Sequence, residues 1–174
     1  MSDPPAPAPG GSDEETVAAL LGRPPLGPYE VVCRRPDGSP VVICNAPFFD
    51  DGRPMPTRYW LVDRTLCEAV SRLESAGGVR RAEAEVDHEA LAAAHARYAA
   101  ERDAAIEPGR AGPRPSGGVG GTRTGVKCLH AHLAHRLAGG RDPVGDWVAG
   151  RLAGELAALG LAAVLGDGHG PGAP

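Results

Sequence analysis

Aromatic residues are scarce in this sequence: it has two Phe, two Trp and three Tyr among 174 residues. Its core must therefore be built mainly from Leu, Val and Ala. Long hydrophobic runs are also missing, since the longest, Leu152 to Leu165, is about 14 residues, includes Glu155 and is too short to span a bilayer. The acidic start lacks the basic and apolar regions of a signal peptide. We therefore expect a cytoplasmic protein without a membrane segment.

Positive charge is not in excess, because 18 Lys and Arg stand against 22 Asp and Glu, a formal net charge of −4. That balance does not favour binding to nucleic acid or anionic lipid. The four cysteines form no C-x-x-C pair, which is typical of free thiols in a reducing compartment. A Gly38-Ser39 hairpin loop would place Cys33 opposite Cys44, whereas an Asp37-Gly38 loop would place Cys33 opposite Val42. No disulfide is expected in either case.

Glycine and proline, by contrast, are abundant, with 25 Gly and 18 Pro. They concentrate near both ends and in residues 107–125. We predict disordered tails over residues 1–12 and 161–174 and a single domain over 13–160 with a flexible segment at 107–125.

The remaining sequence predicts an α+β fold, with about three antiparallel strands in the N-terminal half and three to five helices that are mostly C-terminal. A capping box at Ser12 begins a helix that ends at Gly22. The strands are expected at 29–34, 41–44 and 57–62. The later helices are expected at 64–76, at 87–106 with Asp87 as its cap, at 129–138, and from Pro143 to about 159. Gly150 and Gly154 are expected to let a neighbouring helix approach closely.

The segment from Thr122 to His135 has the highest density of chemically useful side chains. Several glycines precede Lys127 and a helix start, where backbone N–H groups favour an anion. We therefore predict a ligand site for a small, phosphate-like anion, although the spacing is not that of a Walker loop. Its candidate residues are Arg123, Lys127, Cys128, His130 and His135.

A metal is an alternative at the same helix. Cys128, His132 and His135 share one helical face, and zinc accepts sulfur and nitrogen ligands. No acidic fourth ligand is evident in the sequence, so we assign neither a metal nor another cofactor. Asp50, Asp51 and Asp63 are interpreted as turn residues rather than as ligands.

Two further functions remain open. The chain could be a protein–protein interaction module without catalysis, or an enzyme with Cys128 as nucleophile and His132 or His135 as base. Whether it is an enzyme is uncertain from the sequence.

Several motifs in order resemble the bacterial family called domain of unknown function 501. The resemblance covers about residues 20–148 and rests on the segments 21–25, 35–42, 46–47, 51–61, 71–74, 126–130 with His135, and 142–146. Members share an L-P-D-G-T-P-F-P-T-L-Y-Y-L-T segment, altered here at residues 49–62, and a K-C-L-H-x4-H segment, kept here from Lys127 to His135. Arg35 stands where members often carry cysteine.

The resemblance implies no known reaction. Its members are often encoded beside an exopolyphosphatase-like protein and a septum-formation-initiator-like protein. That association implies a link to polyphosphate metabolism or cell division and suits either an anionic ligand or a protein partner.

Overall fold

A computed structural model of the chain describes residues 12–166, and within them it contains three strands and eight α-helices. The predicted α+β class is confirmed. The elements are α1 (Asp13–Leu21), β1 (Tyr29–Arg34), β2 (Pro40–Asn45), β3 (Tyr59–Leu61), α2 (Arg64–Ser75), α3 (Gly78–Glu85), α4 (His88–Ala104), α5 (Leu129–Leu137), α6 (Pro143–Arg151), α7 (Ala153–Ala158) and α8 (Ala162–Gly166). The predicted tails lie outside the described residues except for Ser12 and residues 161–166, which include α8.

The sheet is antiparallel in the order β1-β2-β3. A bulge in β1 places Cys33 opposite Val42, while Cys44 faces Glu30. The pairing of Cys33 with Val42, expected from an Asp37-Gly38 loop, is thus observed, but neither two-residue loop forms. The pair of Arg34 with Pro40 and the turn closed by Arg35 and Ser39 leave a loop over residues 36–38. The physical reason is that Gly38, at φ +89°, adopts the left-handed conformation inside the turn that Arg35 and Ser39 close. All four cysteines are free.

Helices cover both faces of this sheet. On one face, α1 packs Val17 against Ile43 and Val62. On the other face, β3 packs against α5, and Val42 and Leu61 join the main core. The chain therefore forms layers of helix, sheet and helix around a core of small aliphatic side chains.

The most enclosed helix is α5, in which seven of nine residues are buried. The sequence predicts only a leucine stripe there, but α2, β3 and α6 pack around the helix and bury its polar positions as well. His132 and His135 lie among those buried positions. Buried polar groups must find hydrogen-bond partners, so this enclosure dictates the chemistry of the site.

The helix ends differ from expectation at two places. Gly77, at φ +81°, ends the turn after α2 but also begins α3, a helix that the sequence analysis missed. The last predicted helix divides at Leu152 into α6 and α7. Gly150 and Gly154 have no neighbouring atom within 4 Å of where a Cβ would stand, so the close helix approach predicted for them is wrong. That approach occurs at Gly145, where α6 meets the backbone of α5.

Residues 107–125 contain one short 3-10 turn, Val119–Gly121, and no α-helix or strand. Val119 is fully buried, and its N–H donates to His95 Nδ1 at 3.0 Å. The end of this segment therefore packs against α4. No helix within residues 12–166 is long and apolar enough to cross a membrane.

Candidate functional site

The structure separates residues that the sequence pattern groups together. Cys128 is the N-cap of α5 with extended backbone, φ −151° and ψ 118°, so helical spacing does not apply to its side chain. It lies beside His130 and Glu74, whereas His132 and His135 point to Asp142. The predicted metal face of Cys128, His132 and His135 is therefore wrong.

The first cluster consists of Glu74, Cys128 and His130, and its ligand atoms all lie within 4.8 Å of one another. His130 Nδ1 is 3.3 Å from Glu74 Oε1 and 3.9 Å from Cys128 Sγ. His130 Nε2 is 3.1 Å from the carbonyl oxygen of Cys67 and 3.3 Å from Ser71 Oγ. All three members are half-buried. Glu74 is not among the site residues predicted from the sequence, because it lies on a different helix from its partner His130.

Electrostatics in this cluster favour a protonated imidazole. Burial opposes the charge, but the hydrogen bond to Cys128 and the charge of Glu74 outweigh burial and raise the pKa of His130 to about 9. Burial and the carboxylate of Asp63 raise the pKa of the neighbouring Cys67 thiol to about 12. Cys67 is therefore an unreactive thiol.

The second cluster is a buried carboxylate held by two histidines. Asp142 accepts from Nδ1 of His132 at 2.8 Å and from Nδ1 of His135 at 2.9 Å. The same carboxylate caps α6, because it accepts the N–H groups of Val144 at 3.0 Å and Gly145 at 2.9 Å. Burial raises the pKa of Asp142, yet the hydrogen bonds from both imidazoles outweigh it and hold that pKa well below its ordinary value.

Aromatic rings close this second cluster. The Tyr59 ring stacks on His135 at 5.7 Å between centroids, and the Tyr98 ring meets it edge-on at 5.3 Å. Gly140 passes so close that a Cβ there would stand 2.1 Å from His135 Nε2. His132 Nε2 is a buried nitrogen without a hydrogen-bond partner in the described chain. With His132 fully buried and His135 2% exposed, neither histidine can reach an external ligand without a structural change.

A cleft of about 620 Å³ lies between α4 and the end of the glycine-rich segment. Its lining includes His88, Leu91, His95, Ala96, Gly117, Gly118, Arg123, Thr124, Gly125 and Glu83. Arg123 is exposed and forms no ion pair with any carboxylate of residues 12–166. The cleft thus combines an apolar helix wall with one cation, Arg123, and one carboxylate, Glu83.

His95 fixes the shape of that cleft. Its Nδ1 accepts from the Val119 N–H, so its Nε2 carries the proton and donates to the carbonyl oxygen of Gly125 at 3.0 Å. Burial lowers the pKa of His95, in accordance with this neutral form. Gly118 must be glycine here, because a Cβ would stand 2.4 Å from His95 Nδ1.

The five ligand residues predicted from the sequence consequently lie in different surroundings. Arg123 lines the cleft, Cys128 and His130 belong to the first cluster, and His135 is enclosed in the second. Lys127 is exposed and outside both clusters. Sequence analysis missed Asp142 and the role of His95, although an aspartate directly before Pro143 is a recognisable helix N-cap signal.

Comparison with known proteins identifies a family and no function. The sequence model of the family described as "Protein of unknown function (DUF501)" matches residues 31–150. No curated protein matches the chain, and no solved structure does. Because the match covers well over half of the sequence and runs from within β1 to within α6, including both clusters and the cleft, the chain belongs to the DUF501 family.

Proposed function

We propose that the protein binds a small organic anion, phosphate-like or carboxylate-like, in the cleft between α4 and residues 117–125. The observation that carries this proposal is Arg123, a cation on the wall of a cleft and without an ion-pair partner among the described residues. An unpaired guanidinium in a concave surface is well suited to bind a planar or tetrahedral oxyanion through two N–H groups.

The other walls favour a ligand with an apolar part. Leu91, Ala92, Ala96 and Ala99 line the α4 side. A volume of about 620 Å³ lies within the range of clefts that hold small organic molecules. His95 is neutral and occupied at both nitrogens and Glu83 carries the opposite charge, so Arg123 is the group that would attract an anion. Phosphate alone would leave the apolar wall unused, which is why an organic anion fits better.

The start of α5 is less suited to bind an anion than the sequence indicates. The first N–H of α5, on Leu129, already donates to Glu74 Oε1 at 2.6 Å. An anion at that position would meet the carboxylate of Glu74. The proposal therefore keeps Arg123 from the predicted set and replaces the helix start by the cleft.

A thermal-shift screen tests this function. The probes are inorganic phosphate, pyrophosphate, polyphosphate, adenosine monophosphate and neutral adenosine. We expect adenosine monophosphate to raise the melting temperature more than either phosphate or adenosine does, since it engages both the cation and the apolar wall. A ligand at 100 times its Kd stabilises the folded state by about 2.7 kcal/mol.

The matched variants are Arg123→Ala and Arg114→Ala, which remove exposed arginines from the same segment. Of these two arginines, Arg123 lines the cleft and Arg114 does not. Arg123→Ala should abolish the shift and Arg114→Ala should leave it unchanged. Equal shifts in both variants, or no shift with any probe at millimolar concentration, would contradict the proposal.

A further inference from the structure

The Glu74–Cys128–His130 cluster is separate from the cleft, since none of its members lines it. Its atoms are a thiol sulfur, an imidazole nitrogen and a carboxylate oxygen, delivered by two helices that pack together, α2 and α5. Each is a common zinc ligand, and zinc accepts all three types in one site.

The distances suit a tetrahedral ion. Zinc bonds of about 2.0–2.2 Å to nitrogen and oxygen at tetrahedral angles separate those two atoms by roughly 3.3–3.5 Å. His130 Nδ1 and Glu74 Oε1 are 3.3 Å apart. The longer zinc–sulfur bond of about 2.3 Å gives a nitrogen-to-sulfur separation of roughly 3.6 Å, and the observed separation is 3.9 Å. The oxygen of Glu74 and the sulfur of Cys128 are no more than 4.8 Å apart, and a movement of the Cys128 side chain toward the other two ligands would complete the arrangement.

The surroundings of His130 match those of a metal-bound histidine. A histidine that binds metal through one nitrogen usually donates its other N–H to a carbonyl or carboxylate, which fixes the ring. His130 directs Nδ1 to Cys128 and Glu74 and has Nε2 3.1 Å from the Cys67 carbonyl oxygen. The ring is therefore held with Nδ1 toward the other two ligands, where a bound metal would take the place of the Nδ1 proton.

A donor that would serve a catalytic thiol is already occupied at this position. The N–H of Leu129, next to Cys128, donates to Glu74 Oε1 and cannot stabilise an oxyanion. The ligand atoms of Glu74, Cys128 and His130 lie within 4.8 Å of one another, and a divalent cation that displaces the Nδ1 proton of His130 can bind all three.

We propose that Glu74, Cys128 and His130 form a zinc site with three protein ligands and a fourth position open to water or a small ligand. Because all three residues are half-buried, the site has access to solvent on one side. The closed sites of structural zinc usually have four protein ligands, so a three-ligand site points to an ion whose fourth position is exchangeable.

Cobalt substitution tests the site directly. The full chain, purified without a histidine tag and stripped with chelator, is titrated with Co²⁺. A thiolate ligand gives a sulfur-to-cobalt charge-transfer band in the near ultraviolet, and tetrahedral geometry gives intense bands in the visible. We expect both bands to saturate at one Co²⁺ per chain, and Zn²⁺ to displace Co²⁺ and remove them.

Cys128→Ser should abolish the charge-transfer band and weaken Zn²⁺ binding by at least about 100-fold, a larger loss than outer-shell changes cause. Cys67→Ser is the matched control, because Cys67 adjoins His130 but is outside the ligand set. Glu74→Gln keeps an oxygen for the Leu129 N–H and should fold normally while binding Zn²⁺ more weakly. Circular dichroism confirms folding of each variant.

Three results would overturn the proposal: no cobalt spectrum in the folded wild type, equal loss in Cys67→Ser and Cys128→Ser, or rapid alkylation of Cys128 that Zn²⁺ does not slow. The last result would favour a reactive thiol with His130 as its base.

Discussion

Asp142 is the single residue on which most of the buried polar structure depends. It caps α6 and accepts from both His132 and His135, while being 1% exposed itself. Asp142→Ala should lower the free energy of unfolding by about 3–5 kcal/mol, the usual cost of removing one partner from a buried ionic cluster. Asp142→Asn should cost less, because its oxygen still caps the helix, a contribution of about 1 kcal/mol. Urea unfolding of both variants measures the difference, and equal losses would contradict it.

The same carboxylate predicts an acid-dependent stability. Its pKa is lower in the folded protein than its ordinary value of 3.8, so the unfolded chain takes up its proton at higher pH than the folded chain does. The stabilisation is complete above about pH 5 and is lost as pH falls below about 4.

The groups that face Asp142 are His132 and His135, with His95 beside His132. Exposed carboxylates elsewhere titrate alike in wild type and variant. Unfolding free energies measured at several pH values should therefore decline less steeply in acid for Asp142→Asn than for the wild type. Parallel curves would show that Asp142 does not carry the effect.

Residue-level prediction from the sequence succeeds only where local chemistry is sufficient. The spacing correctly places His132 and His135 on one helical face. The partner of that face, Asp142, depends on how α6 packs on α5. Glu74 likewise meets His130 from a helix more than 50 positions away in the chain. The spacing of residues within one segment does not indicate contacts between segments that are distant in the chain.

At the scale of elements, the contact between α5 and α6 depends on Gly145. A Cβ at that position would stand 2.5 Å from Arg136 Cβ and 2.6 Å from the His132 carbonyl oxygen. Gly145→Ala should therefore destabilise the protein by about 1–3 kcal/mol through overpacking.

Gly150 supplies the control within the same helix, because nothing stands within 4 Å of its Cβ position. Gly150→Ala should be neutral or stabilising by about 0.5–1 kcal/mol, since alanine loses less entropy in a helix. Thermal unfolding of the pair gives the comparison. A destabilised Gly150→Ala, or an unaffected Gly145→Ala, would contradict this packing.

Element boundaries, too, can be predicted from the sequence only where a nearby side chain determines them. The capping box of α1 and the Asp87 cap of α4 use side chains three positions from their targets, and both are confirmed. The hairpin register depends on a bulge in β1, and the sequence left this register open. The division of the last helix at Leu152 depends on tertiary packing and was not predicted.

At the scale of the whole molecule, the buried helix α5 separates three places where chemistry is expected. The Glu74–Cys128–His130 cluster lies at its start, the histidine–aspartate cluster along its buried length, and the cleft at the neighbouring helix α4. The fold class followed from hydrophobic periodicity. The cleft could not be predicted, because it exists only where His95 holds residues 118–125 against α4.

We infer that an organic anion binds in this cleft rather than at the start of α5. A titration of isotope-labelled protein with adenosine monophosphate, followed through the backbone amide resonances, distinguishes the two places. We expect the largest shifts at Gly117, Gly118, Thr124 and Gly125, and their loss in Arg123→Ala. Shifts concentrated at residues 127–131, or no shifts at saturating probe, would contradict it.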